Sequence, residues 1–257
     1  MVVLTLLEKV YGKYSTKDFV YTFKSLCEGL NVNLRVLGRA PRGWIKVEVS
    51  GEDEKVAVRF FEKEVGLAPV NLERLRKFSV IRGRVLSTKS KLELPIDIGV
   101  YEPAPLEASI PLKTLQAQLA DGKKLALQTI MELYCLYPNF PLEVKICEIN
   151  KSEESIKAEL AESQLTIFEK WLKMYNERLI VFGTTIEDVK QAVRNEKLGR
   201  DIYAIESLGL LEHALICKTG TNAKGLIPKL GPKLPNATLI QFNPPRIHKL
   251  IERCSLL

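Results

Sequence analysis

RLRKFSVIRGRVLSTKSK, residues 74–91, carries seven basic side chains and no acid: Arg74, Arg76, Lys77, Arg82, Arg84, Lys89 and Lys91. Val80, Val85 and Leu86 supply the apolar teeth of a strand pair, and Gly83 admits a bulge. A solvated charge run lacks such a frame. Basic groups fixed on strands make a cationic surface suited to a polyanion, and the commonest intracellular polyanion is nucleic acid. The competing reading is a soluble protein with a basic face and no such partner.

The strands begun here set the character of the centre, 77–150. Strand-like runs are expected at 79–86, 92–100, 125–133 and 142–149, with one helical stretch at Leu112–Leu119. Pro95, Pro103, Pro105, Pro111, Pro138 and Pro141 punctuate the loops. Short strands around one helix suit a small β-barrel of the OB type.

Outward on both sides the pattern is α/β. Residues 2–10 read as a strand. Ser15 is an N-cap with Asp18 three positions on, and Phe19, Phe23, Leu26, Cys27 and Leu30 follow at helical spacing. Strands at 33–37 and 44–49 and a helix opened by 51–54 complete most of a ferredoxin-like unit. On the other side, a long helix is expected over 152–176, with Ile156, Leu160, Leu165, Phe168, Trp171, Leu172 and Tyr175 on one stripe. Strands at 178–182, 201–206, 213–218 and 238–242 then alternate with helices begun by Thr185 and Ala223. The fold class is therefore α+β: two small ferredoxin-like α/β modules, 1–75 and 151–257, flanking an OB-like β-barrel at 76–150. The halves share an order of elements and no residue-level repeat.

The 257 residues carry a net charge of +7 and are 46% hydrophobic, which supports association with polyanions and argues against disorder. Five cysteines, Cys27, Cys135, Cys147, Cys217 and Cys254, form no Cys-x-x-Cys pair, so neither a disulfide scaffold nor a zinc knuckle is expected and a reducing cytoplasm fits. The opening MVVLTLLEKVYGKY lacks a basic region and a small-residue cleavage site and reads as a first strand. No apolar run approaches the roughly 20 residues of a membrane span.

The segments PIDIGVYEPAPLEASIPL (95–112), YPNFPLEVKI (137–146) and LGLLEHALICKTGTNAKGLIPKLG (208–231) resemble an archaeal group of uncharacterised proteins, the domain-of-unknown-function family 2110. The resemblance implies an archaeal cytoplasmic protein and brings no assigned reaction. Residues 83–87 followed by 97–99 also look like the opening strands of barrels in ribosomal and exosome RNA-binding proteins. The aromatic residues of those barrels have one counterpart nearby, Phe78.

Catalytic signatures fail on their residues. In KTGTNAKG (218–225) Gly225 is followed by Leu226, so the P-loop Gly-Lys-Ser/Thr is missing. The Lys-Thr-Gly box of penicillin-recognising enzymes has no Ser-x-x-Lys partner here. What remains is a glycine-containing loop before a helix N-terminus, either a phosphate cradle with Lys218 and Lys224 or a plain strand-to-helix connection. His213 and His248 have no ligand-spaced partner, so no metal is expected, nor any cofactor. Asp97 reads as shaping a strand end, Glu52 to Glu54 as a helix start, and Trp44 as a buried strand residue with base stacking as its alternative. No Gly-x-x-Gly clamp occurs.

A second acid-free tract spans 213–250 and carries Lys218, Lys224, Lys229, Lys233, Arg246 and Lys249. The resulting expectation is a non-catalytic RNA-binding protein of ribosome or RNA-processing machinery. Arg76, Lys77, Arg82, Arg84, Lys89 and Lys91 form one phosphate-contact zone, and Lys218, Lys224, Lys229 and Lys233 a second. The alternatives are an RNA-modifying enzyme and a protein-interaction scaffold.

Overall fold

The computed structural model describes residues 1–253. The chain is mixed α+β and divides into two compact units, Met1–Arg76 with Ile98–Glu107, and Lys77–Asp97 with Ala108–Leu257.

In the first unit, strands β1 (Val2–Lys9), β2 (Val32–Arg39) and β3 (Trp44–Gly51) form an antiparallel sheet in the order β1-β3-β2. Ile45, Val47 and Val49 of β3 are buried and share one face by period-two alternation. The Ser15 cap forms: Asp18 Oδ2 accepts from Ser15 N at 2.7 Å and Oγ at 3.1 Å, and these bonds hold the Asp18 carboxyl below its ordinary value. Trp44 is buried, with the Lys9 ammonium 4.4 Å from its ring centroid. Helices α1 (Val20–Ser25) and α2 (Glu54–Glu64) follow β1 and β3. The next strand, β4 (Val70–Asn71), stays out of this sheet and pairs in parallel with β6 (Glu93–Glu102). Gly99 permits the approach. Its φ is +79°, and a Cβ there would lie 2.7 Å from Ala68 Cβ.

Strands β5 (Val80–Val85), β6, β7 (Leu106–Pro111), β8 (Pro141–Asn150) and β9 (Ser155–Leu160) form a barrel. The strands pair in the order β6-β5-β8-β9-β7, and a further β6–β7 pairing closes the ring. Counted along the chain, the circuit runs one-two-three-five-four, with the third and fifth strands parallel. Helices α3 (Leu112–Leu119) and α4 (Leu127–Leu133) lie between the third and fourth strands. This order is compatible with OB-like folds.

Two expected elements change type here. Residues 155–160 are strand β9 and not the start of a long helix. Ile156, Ala158 and Leu160 are buried while Lys157 and Glu159 alternate with them on the other face. Ile156 and Leu160 also fit a spacing of four, so both periods suit the same residues. Residues 127–133 are helix α4 and not a strand, with Leu127, Ile130 and Leu133 buried at helical spacing. Gly83 is no bulge: it sits in regular register opposite Leu142.

Helix α5 (Glu162–Lys173) leads to a four-stranded antiparallel sheet of β10 (Arg178–Phe182), β11 (Ile202–Ser207), β12 (Glu212–Cys217) and β13 (Thr238–Phe242), ordered β11-β12-β10-β13. Helices α6 (Ile186–Asn195) and α7 (Ala223–Leu230) connect β10 to β11 and β12 to β13, and α8 (Pro244–Arg253) follows. Thr185 caps α6, its hydroxyl accepting from Asp188 N at 3.3 Å. One sheet face packs on α6 and α7 through Leu179, Val181, Val189, Leu215, Leu226 and Leu230. Aromatic rings join the barrel to this sheet: Phe140 lies 6.1 Å from Phe182, and Trp171 of α5 lies 5.2 Å from Phe242, edge to face. Each such pair contributes about 0.5–1.5 kcal/mol beyond its area burial. No helix among the described residues is long and apolar enough to cross a membrane.

Candidate functional site

The first basic tract separates into four environments. Arg76 and Lys77 are exposed ahead of β5. Lys89 and Lys91 are exposed in the β5–β6 loop, where the Ser90 hydroxyl accepts from Leu92 N and Glu93 N at 3.1 and 3.2 Å and folds the turn. Arg82 is half-buried on β5, opposite Glu143.

Arg84 departs from the expectation. It is wholly buried, Nη1 lies 2.6 Å from Glu212 Oε2, and the same nitrogen donates to Asn139 O at 3.3 Å. Asp97, also fully buried, faces Arg84 in the β5–β6 register and is no strand end. Arg84 therefore offers nothing to a phosphate and instead ties β5 to β12. Gly209 lies against this pair. A Cβ there would stand 2.8 Å from Arg84 Nη1 and closer still to Glu212 Oε2. His213, next to Glu212, bonds Thr184 O through Nε2 at 3.0 Å and Ser207 Oγ through Nδ1 at 3.4 Å. It is a structural strand residue.

The outer face of β5 and β8 holds the feature that sequence singled out only as an isolated aromatic. Phe78 is 63% exposed. Its backbone is left-handed, φ +67°, and its N–H donates to Ile146 O at 2.7 Å. That combination fixes the backbone just ahead of β5 in a conformation uncommon for a bulky residue. Lys77 Nζ lies 5.0 Å and Lys145 Nζ 5.8 Å from the ring centroid. Val80, 56% exposed, faces Lys145 across the strands, and Lys145 pairs with Glu159 at 2.9 Å. Lys145 escaped the sequence reading because it stands alone among the alternating residues of β8, with no basic run to mark it.

The second tract lies on β12, α7 and the segments that follow each. Lys218 Nζ donates to Gly199 O at 3.0 Å, and Lys233 pairs with Glu196 at 3.4 Å. Lys224 and Lys229 are exposed on α7. The 218–222 loop is a turn closed by Thr221 N donating to Lys218 O at 2.9 Å, with Gly220 at φ +86° in the position that favours glycine. The first-turn N–H groups of α7 are already taken within the protein. Glu177 Oε2 already accepts from Ala223 N at 2.7 Å, and Asn222 Oδ1 from Lys224 N at 2.8 Å. The protein's own carboxylate therefore meets the helix N-terminus, and only the loop ahead of it keeps open N–H groups. Among the described residues no three His, Cys, Asp or Glu side chains are grouped to hold a metal ion. Cys254 lies outside the described residues.

No curated protein matches the chain. Among solved structures, a vaccinia virus protein (Wisconsin strain) is 20% identical over 34% of this chain and 89% of its own, with a TM-score of 0.24. A protein from Thermus thermophilus is 11% identical over 100% of this chain and 43% of its own, with a TM-score of 0.16. The segment that holds the Glu177 carboxylate, the Glu212 ion pair and the 218–222 loop is the part of this chain similar to a described family: residues 176–241 match the DUF2110 C-terminal domain.

Proposed function

We propose that the protein binds single-stranded RNA, without catalysing a reaction on it, along the outer face of β5 and β8. The observation that carries this reading is Phe78, an exposed ring on a constrained backbone, flanked by two ammonium groups. A base stacks on such a ring, and the ammonium groups meet the adjoining phosphates. Arg82, Lys89 and Lys91 extend the cationic surface along the same strand and its following loop. Arg76 precedes it in the chain. The barrel circuit supports an OB-like assignment, a fold often used for single strands. The strand-helix-strand-strand-helix-strand order of 178–242 supports a ferredoxin-like C-terminal module. The archaeal cytoplasmic setting implied by the family resemblance, and a ribosomal or RNA-processing partner, accompany this reading.

Stacking of one base contributes about 1–3 kcal/mol, so Phe78→Ala is expected to weaken binding of a short RNA roughly 5- to 150-fold. Fluorescence anisotropy with a labelled oligonucleotide measures it. Equal affinity of the variant and the parent chain refutes the stacking role.

A further inference from the structure

We propose that a cavity in the C-terminal module, between the end of α5 and the 218–222 loop, is a binding site for one nucleotide whose base carries an exocyclic amino group. It rests on the RNA reading only for the class of ligand, and no residue of the barrel face takes part in it. The cavity measures about 380 Å³, at the lower end of the range used by small-molecule sites.

Its aromatic wall is Tyr175. The ring is 60% exposed, and His248 of α8 covers one face, with centroids 5.1 Å apart and planes 16° from parallel. The pair holds the phenol ring in place and leaves its second face to a base. Tyr175 is itself fixed in a left-handed backbone conformation, φ +54°, by the turn that ends α5. A residue held in that way costs folding energy and turns up disproportionately where a ligand is clamped.

The polar lining divides by charge. At the loop, the Thr219 and Gly220 N–H groups donate to no protein acceptor among the described residues. Lys218 spends one of its three ammonium donors on Gly199 O. These groups suit a phosphate. Beside the loop, the Glu177 carboxylate accepts three hydrogen bonds, from Ala223 N, Gln241 Nε2 and Asn243 Nδ2. A carboxylate has about four lone-pair directions, so Oε1 retains one. Asn176 donates its amide to Cys217 O at 2.8 Å, which leaves its carbonyl oxygen to accept. Two acceptors side by side favour a base that donates twice: adenine, cytosine and guanine carry an amino group with two N–H bonds, whereas uracil offers a single N3–H. The three donors on Glu177 fix it in place before any ligand arrives, so little ordering cost remains.

The test is a nitrogen-15 NMR titration of the full chain with AMP, CMP, GMP, UMP and inorganic phosphate in turn. The three amino-bearing nucleotides are expected to shift the amides of Tyr175, Thr219 and Gly220 and to bind roughly fivefold or more tightly than UMP. Tyr175→Ala should abolish the shifts at Thr219 and Gly220. Phe78→Ala should leave them unchanged. A short RNA compared between the parent chain and Tyr175→Ala tells a nucleotide within a strand from a free one: weaker RNA binding marks the first, unchanged RNA binding the second, and both require the pocket. Silence of these amides at millimolar nucleotide overturns the proposal, as does inorganic phosphate reproducing the whole pattern. Neither result touches the barrel-face reading, which stands or falls with Phe78→Ala on the oligonucleotide.

Discussion

Arg84→Met tests the assignment of Arg84 to the interior. The side chain it removes is wholly buried, and so are the two carboxylates around it, Glu212 at 2.6 Å and Asp97 across the strand pair. The substitution deletes the one guanidinium and leaves both acids in place. Breaking a buried pair in this one-sided way costs about 3–5 kcal/mol. At roughly 2–4 °C per kcal/mol for a domain of this size, the melting temperature should fall by roughly 6–20 °C. Urea denaturation followed by circular dichroism gives the free energy. Arg84→Met with Glu212→Met removes both charges of the contact, so the pair should cost less than the sum of the two single changes by about 2 kcal/mol or more. RNA affinity and its salt dependence, measured on folded protein, should not change. A single substitution costing under about 1 kcal/mol, or one that weakens RNA binding as much as Arg82→Gln does, refutes the burial argument.

Other outcomes follow from the same contacts. Gly209→Ala pushes a methyl group into the Arg84–Glu212 contact and should cost about 1–3 kcal/mol in the same denaturation assay. The thiols should alkylate unequally at pH 8: burial raises Cys27, pushes Cys217 up to about 11 and drives Cys135 higher still. Cys147 is raised by burial too but is only half-buried, so it should label first among the described cysteines, and RNA on the neighbouring β8 face should slow it. Mass spectrometry of the labelled peptides reads the order. Lys157, 2.7 Å from Glu93, holds that carboxyl below its ordinary value of 4.5. Its contribution to stability should therefore be complete above about pH 4.5 and lost as pH falls through the lower folded value, and Lys157→Met should flatten that part of the pH–stability curve measured by urea denaturation.

Much of the fold was legible because short apolar runs are bounded by polar, glycine and proline residues. The limits of β10, β13, α3 and α7 coincide with the sequence reading, and Thr185 and Ser15 cap as their residue types require. The failures lie where two periods coexist. Ile156 and Leu160 satisfy both helix and strand, and only pairing with β8 decides for strand. Strand β7 was hidden by the prolines that bound it. Within the site, composition marked the cationic run but not its direction. Whether an arginine on β5 points to solvent or to Glu212, 128 positions away, is a tertiary fact. The same holds for Lys145 beside Phe78, and for Glu177 reaching the first turn of α7.

The salt dependence of RNA binding tests the central claim most directly. Affinity of a single-stranded RNA should fall linearly on a log–log plot against salt, by about 0.7 per phosphate contact. Replacing Lys77, Arg82, Lys89 and Lys91 together by glutamine should weaken binding and reduce the slope by about 3. Thermal stability should change little, since Lys77, Lys89 and Lys91 are exposed and Arg82 is only half-buried, and such charges contribute little to folding. No binding at low salt, or binding whose slope ignores all four substitutions, contradicts the account.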